Sequence, residues 1–251
     1  MYHRFNEKKY PSTNIQMSIF KEHINIIKNS GYNFLDAKLL PEVFSDVKLE
    51  KKILLTIDDG YDSFYENAWP YLKENKIPFL IFISTEAIGK NGYMDWNKIK
   101  DIEQYDFVTI GNHSHSHDYL VNFSFNEFER DIIKSIEIFN SKLGYNPIFF
   151  SYPFGEWSSI QKKFISKHFD FAFGQHSGVI DLNKDKYELP RFPINEKYGD
   201  LDRFKFLVKL LPLQYKKVFP EDKLIEKNNP PEMKVEFFKE QNIANINCFS
   251  N

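Results

Sequence analysis

An apolar run from Ile53 to Ile57 stops at two adjacent carboxylates and a glycine, Asp58-Asp59-Gly60, and a helical pattern from Asp62 to Asn75 begins at once. So short an apolar run reads as a buried strand. A strand that passes through a charged turn straight into a helix is the repeating unit of parallel α/β folds, which place their chemistry at these turns. Alone, an Asp-Asp-Gly turn is an ordinary connection. It gains meaning from a second run, Phe107 to Ile110, which leads into Gly111-Asn112-His113-Ser114-His115-Ser116-His117. Three of the seven histidines fall within these five positions, 113 to 117. Imidazoles concentrated at a strand end serve a metal or a proton relay. His113 and His117 are four apart, so one helical turn would put them on a common face, with His115 pointing elsewhere.

The same alternation runs through residues 1 to 195. Strand-like stretches are expected at Met1 to Phe5, Tyr32 to Leu35, Pro78 to Ser84, Ile148 to Phe150, Phe169 to Phe173 and Leu189 to Phe192. Helices are expected after Ser18, over Asp95 to Glu103 and over Ser158 to His168. Another follows Ser124, whose pairing with Glu127 is a capping box, and Gly144 stops it. Strands alternating with helices imply a parallel sheet, open or closed into a barrel. Asp58, Asp59, His113, His117, Tyr152 to Gly155, His176 and Arg191 all follow strands, and in a parallel barrel those ends share one face. Beyond residue 200 the character changes. An apolar helix, Phe204 to Leu213, gives way to Lys- and Pro-rich sequence and two possible strands, Met233 to Phe238 and Ile243 to Phe249. The expected division is therefore a catalytic domain over 1–200 and a short C-terminal appendage over 201–251.

The net charge of −2, with acids and bases interspersed, gives no footprint for nucleic acid. Cys248 is the sole cysteine, which excludes an internal disulfide. No apolar run approaches a membrane span. The opening Met1-Tyr2-His3-Arg4 is not a signal segment, so a cytoplasmic protein is expected, or an extracytoplasmic one if the start is trimmed. Asp59, His113 and His117 offer one oxygen and two nitrogens, a donor set that leaves positions open for water and substrate. A cation held there would polarise a carbonyl and acidify water, and Asp58 is placed to take that water's proton. The chemistry is hydrolysis of an amide or ester.

Thr56-Ile57-Asp58-Asp59-Gly60, the Gly-Asn-His-Ser-His-Ser-His stretch and Tyr152-Pro153-Phe154-Gly155, in this order, resemble the polysaccharide deacetylase family (NodB homology domain, carbohydrate esterase family 4). Tyr2-His3-Arg4 and Leu189-Pro190-Arg191 resemble its poly-N-acetylglucosamine deacetylase-like branch. The resemblance implies an α/β fold, a distorted (β/α)7 barrel, that removes acetyl groups from sugars of a polysaccharide or oligosaccharide. It implies a divalent metal, zinc foremost, with cobalt, nickel, manganese or iron as alternatives. It makes Asp58 the general base and Asp59, His113 and His117 the metal ligands. The Phe154 N–H becomes an oxyanion donor, in a loop where Tyr152, Pro153 and Gly155 meet substrate. Trp157, just after that loop, is the ring expected to stack on a sugar.

Two features depart from the family pattern. Ser151 stands where many members have an arginine that orients the base, and Arg191 is the expected substitute. The late Leu-x-His that usually supplies the general acid is missing, and His176 is the expected replacement, with His3 as competitor. Two other readings stay open: hydrolysis of a non-sugar amide, and an inactive carbohydrate-binding barrel. Oligomeric state is not indicated.

Overall fold

The computed structural model describes residues 1–45, 51–222, 224–225 and 229–239. In chain order the strands and helices are β1 (Arg4–Phe5), β2 (Asn14–Ile15), α1 (Met17–Asn29), β3 (Asn33–Phe34), α2 (Leu40–Ser45), β4 (Lys52–Ile53), β5 (Thr56–Ile57) and α3 (Trp69–Glu74). There follow β6 (Phe79–Ile83), α4 (Trp96–Glu103), β7 (Val108–Asn112), α5 (Phe125–Leu143), β8 (Phe149–Ser151), α6 (Ser159–Ile165), β9 (Phe171–Phe173), α7 (Leu201–Val208), β10 (Lys217–Phe219) and β11 (Lys234–Glu236). The expected strand over Ile243 to Phe249 lies outside the described residues.

β5 to β9 form one parallel sheet in sequential order, with Ile57 level with Ile81, Ile83 with Asn112, and Ser151 with Phe173. Both edges are extended by short bridges. Tyr2 pairs with Ile57 on one side, and Leu189 pairs with Phe173 on the other. The two edge segments then meet, because Met1 N–H donates to Phe192 O (3.1 Å) and Ile194 N–H donates to Met1 O (3.0 Å). The sheet thus curls into a ring of staves, five of them regular strands. The run expected as one strand, Ile53 to Ile57, divides: β4 pairs with β3, and only β5 enters the ring. The expected first strand divides likewise, since β1 turns away to pair with β2.

β6 reads Phe-Leu-Ile-Phe-Ile, and every residue of it is buried. Strand alternation sends Phe79, Ile81 and Ile83 outward against the helices, among Phe64, Trp69 and Leu72. Leu80 and Phe82 point inward and fill the ring with Phe149, Phe171, Phe173 and Leu189. Phe82 explains Gly111: a Cβ there would sit 2.4 Å from its ring. Each such side chain contributes roughly 1.5–3 kcal/mol by burial. The capping box forms as expected, with Ser124 N–H donating to Glu127 Oε2 at 2.9 Å, and Gly144 ends α5 at φ 85°.

α7, placed by composition in the appendage, packs into the main core instead. Phe204 and Val208 join the cluster around α1, and Phe204 stacks on His23 at 3.9 Å. His23 is fully buried. Its Nε2–H donates to Gly199 O (2.8 Å), which leaves Nδ1 to accept from the Tyr2 hydroxyl (3.0 Å). This ring is held neutral, and burial lowers its pKa from 6.5 to about 4. Between those values the unfolded chain takes up a proton that the folded chain refuses, so this stability is complete above pH 6.5 and is lost as pH falls toward 4. At pH 5 the loss is on the order of 2 kcal/mol. Urea midpoints at pH 7 and pH 5 should therefore lie further apart for the native chain than for His23→Gln.

Candidate active site

The carboxyl ends of β5, β7 and β8 release three turns onto one rim. β5 ends in Asp58 and Asp59, β7 in the histidine loop, and β8 in the Tyr152 to Gly155 turn. Asp59 Oδ1 lies 3.1 Å from His117 Nε2 and 3.4 Å from His113 Nε2. Neither contact has hydrogen-bond geometry, so Asp59 Oδ1 and His113 Nε2 are buried without a partner. His113 Nδ1–H donates to Ser151 O at 2.7 Å, which leaves the Nε2 lone pair facing Asp59. Buried orphan acceptors of this kind are costly in isolation and fit a cation between them. One ligand atom from each of Asp59, His113 and His117 falls within 4.8 Å of the others.

The histidines do not converge through a helical turn. Ser114 (φ 68°) and His117 (φ 58°) are both left-handed, which folds 113–117 into a tight loop. Asp131, on α5, holds that loop by accepting His115 N–H (2.8 Å) and Ser116 N–H (2.9 Å). Asn112 accepts Ser114 N–H (2.8 Å) and donates to Ser135 one turn further along the same helix. His115 turns away to Thr85 Oγ1 (2.9 Å). Asp59 (φ 75°) and Phe154 (φ 56°) are also left-handed, so four of the seven such non-glycine residues among the described ones lie on this rim. Each costs on the order of 1 kcal/mol and persists only where surroundings enforce it.

Asp58 is fully buried beside this cluster. Arg191 grips it with both arms, Nη1 to Oδ1 at 2.7 Å and Nη2 to Oδ2 at 2.8 Å. Arg191 is itself fixed through Nε to Gly174 O (2.8 Å) and Nη2 to Ser151 Oγ (2.8 Å). Burial pushes the Asp58 carboxyl up, but Arg191, His113 and His3 together outweigh it and hold the pKa below the usual value. Asp59 is likewise pushed up by burial and drawn well below the usual range by His113, His117 and His3. A cleft of about 200 Å³ opens onto Asp59 and His117, bounded by Glu86, Lys90 and Tyr93.

A family model described as polysaccharide deacetylase matches residues 46–168, the span holding Asp58, Asp59, both cluster histidines and Phe154. The chain carries a polysaccharide deacetylase domain. It is 24% identical over 225 residues to poly-beta-1,6-N-acetyl-D-glucosamine N-deacetylase of Staphylococcus aureus, covering 83% of this chain and 76% of that protein. Its fold matches that of the Streptococcus pyogenes deacetylase PplD (TM-score 0.76, 19% identity, 84% of this chain and 96% of that one). It also matches IcaB from Ammonifex degensii (TM-score 0.72, 21% identity, 83% and 95%).

Within this deacetylase domain the other expected site residues are distributed unevenly. Tyr152, Pro153 and Trp157 are buried. The Tyr152 hydroxyl donates to Tyr187 O (3.1 Å), and Trp157 stacks on Tyr152 at 5.2 Å between ring centres. Trp157 is therefore core rather than an open sugar platform. Gly155 is wedged against Gln175, where a Cβ would meet the backbone nitrogen at 2.4 Å. The exposed ring of the loop is Phe154, beside Tyr119. His176 lies exposed on the rim, 5.7 Å from Trp157 between rings, and its carbonyl accepts Arg191 N–H (3.0 Å). His3 follows the stave adjoining Asp58, whose N–H donates to Tyr2 O at 2.9 Å. Burial lowers the pKa of His3, against the opposing pull of Asp59 and Asp58. Asp131 and Tyr119 carry no motif of their own and were not singled out from the sequence. Among the described residues, no helix is long and apolar enough to cross a membrane.

Proposed function

We propose that this protein is a divalent-metal-dependent N-deacetylase acting on N-acetylated sugars of a polysaccharide or oligosaccharide, with zinc the preferred ion. The observation that carries the reading is the pairing of two unlike buried carboxylates. Asp59 faces two imidazoles with an unsatisfied oxygen, while each oxygen of Asp58 accepts one bond from a guanidinium and keeps a lone pair free. Asp59, His113 and His117 would hold the cation, which when bound supplies Lewis acidity toward the acetyl oxygen and the attacking water.

Asp58 accepts a proton from that water as it adds to the acetyl carbon. Arg191 keeps the carboxylate ionised and aimed, since its fork leaves the oxygens no other orientation. The Phe154 N–H donates to the oxygen on which charge develops. The C–N bond then breaks, acetate remains, and the leaving amine takes a proton. We assign that proton to His3 rather than His176. The His3 ring is electrostatically coupled to Asp58, Asp59, Arg191 and His113, and it follows the residue whose carbonyl accepts the Asp58 N–H (2.9 Å). The likeness to the Staphylococcus aureus enzyme supports β-1,6-linked N-acetylglucosamine as the first substrate to test.

The test is acetate release from β-1,6-linked N-acetylglucosamine oligomers before and after chelation, with zinc or cobalt restored. Release should stop on chelation and return with metal, at one ion per chain. His3→Ala should lower kcat by about 10²-fold or more, and His176→Ala by far less. Metal bound at one per chain without acetate release from any N-acetylated glycan would overturn the substrate assignment. Unchanged turnover in His3→Ala would return the acid to His176.

A further inference from the structure

Two aromatic rings next to the cluster have no part in the mechanism above. Tyr119 and Phe154 come from different turns, one after the histidine loop and one after β8. They stack face to face, with centroids 3.9 Å apart and planes 4° from parallel. Both are open to solvent, at 49% and 39%. Phe154 also approaches the His117 ring at 5.0 Å, so the pair is continuous with the metal-ligand cluster.

Scattered exposed aromatics are ordinary, but a stacked pair abutting a buried carboxylate–imidazole cluster, its inner faces covered and its outer surface open, is not. The chain holds this arrangement against its own preferences. Tyr152 and Pro153 anchor the turn beneath, and Phe154 sits at φ 56°, a conformation glycine would adopt without strain. Leu120, following Tyr119, is pinned in the core through its carbonyl, which accepts Gln161 Nε2–H at 2.6 Å. The ledge is flanked in sequence by Asp118 and Glu156, both exposed carboxylates. The open outer face of an aromatic ring is complementary to a pyranose ring, which has an apolar C–H face, and exposed carboxylates in the adjoining turns can accept from its hydroxyls.

We propose that the stacked Tyr119–Phe154 pair is a carbohydrate subsite that takes a second sugar ring beside the one being deacetylated, so that the ligand is an oligosaccharide and not a free amino sugar. The inference rests on the glycan reading given above. It also assigns the stacking role to residues other than Trp157, which is buried.

The experiment measures KM and kcat for acetate release from β-1,6-linked N-acetylglucosamine oligomers of one to five sugars, with the native chain, Tyr119→Ala and Tyr119→Phe. Native kcat/KM should rise by about tenfold or more between one and three sugars. Tyr119→Ala should raise KM for the trimer by about tenfold and flatten that length dependence, and Tyr119→Phe should restore it, because the ring and not the hydroxyl makes the contact. Native length dependence retained in Tyr119→Ala, with acetate still released, would overturn the subsite and leave the activity standing. If the native chain releases no acetate from any oligomer, the activity reading fails on its own, and calorimetric titration with the trimer decides the subsite. Binding lost in Tyr119→Ala supports it, while no native binding, or equal binding by both proteins, overturns it.

Discussion

Asp58→Asn is expected to lower kcat for acetate release by about 10²–10⁴-fold, the usual contribution of a positioned proton acceptor. The substitution is nearly isosteric, and the amide it introduces would still offer one oxygen to Arg191. That amide cannot accept the proton of the attacking water. The donor atoms of Asp59, His113 and His117 are untouched, so metal stoichiometry should stay at one per chain. Stability should fall as well, by up to about 3 kcal/mol, because a buried guanidinium loses its counter-ion. Acetate release, metal content and the urea midpoint of the same preparation check the three parts together. A folded Asp58→Asn protein with native turnover would remove Asp58 from the mechanism.

Arg191→Ala is expected to act on fold and chemistry at once. It removes the two bonds to Asp58 and those to Gly174 O and Ser151 Oγ, and it leaves Asp58 buried and ionised beside an emptied volume. Breaking such a pair costs about 3–5 kcal/mol. The sign of the pH effect follows from the depressed carboxyl. In the native chain the Asp58–Arg191 contribution is present above the unfolded value of 3.8 and is lost as pH falls through the lower folded value. Without Arg191, burial pushes the Asp58 pKa upward, opposed only by the histidines. The acid limb of the kcat/KM profile should therefore move to higher pH, and the stability gap between native and variant should narrow toward low pH. Arg191→Lys retains charge without the two-armed geometry and should fall between the two. An unshifted acid limb in a folded Arg191→Ala protein would show that Arg191 does not tune the base.

The strands and the meeting of Asp59 with His113 and His117 were legible because their signals are local. An apolar run ending in Asp58-Asp59, or one leading into three spaced histidines, carries its meaning within ten residues. What escaped the sequence depends on distant partners or on backbone sign. The helical turn expected for His113 and His117 gave way to a loop, because Ser114 and His117 are left-handed and Asp131 accepts two amide hydrogens from across the fold. Trp157 adjoins the exposed turn in sequence, but the chain dips inward before α6, so the open ring there is Phe154. The change of composition near residue 200 suggested a boundary, yet His23 draws Phe204 and Gly199 into the main core. Ser151 looked like a loss. Its hydroxyl instead receives the guanidinium of Arg191, which reaches Asp58 from 133 positions away.

The closing of the ring has a consequence for assembly. The stave from Leu189 to Ile194 sits between β9 and the first two residues, and the Met1–Phe192 bond spans 191 positions. Contacts between such distant segments are slow to form, since the loop entropy must be overcome first. During synthesis Asp58, Asp59, His113 and His117 all precede Arg191 in the chain. A ribosome-bound chain ending near residue 168 thus carries the whole Asp59, His113 and His117 cluster but not the guanidinium that pairs with Asp58. On the proposed mechanism the last stave completes the site, since Arg191 is the partner that holds Asp58.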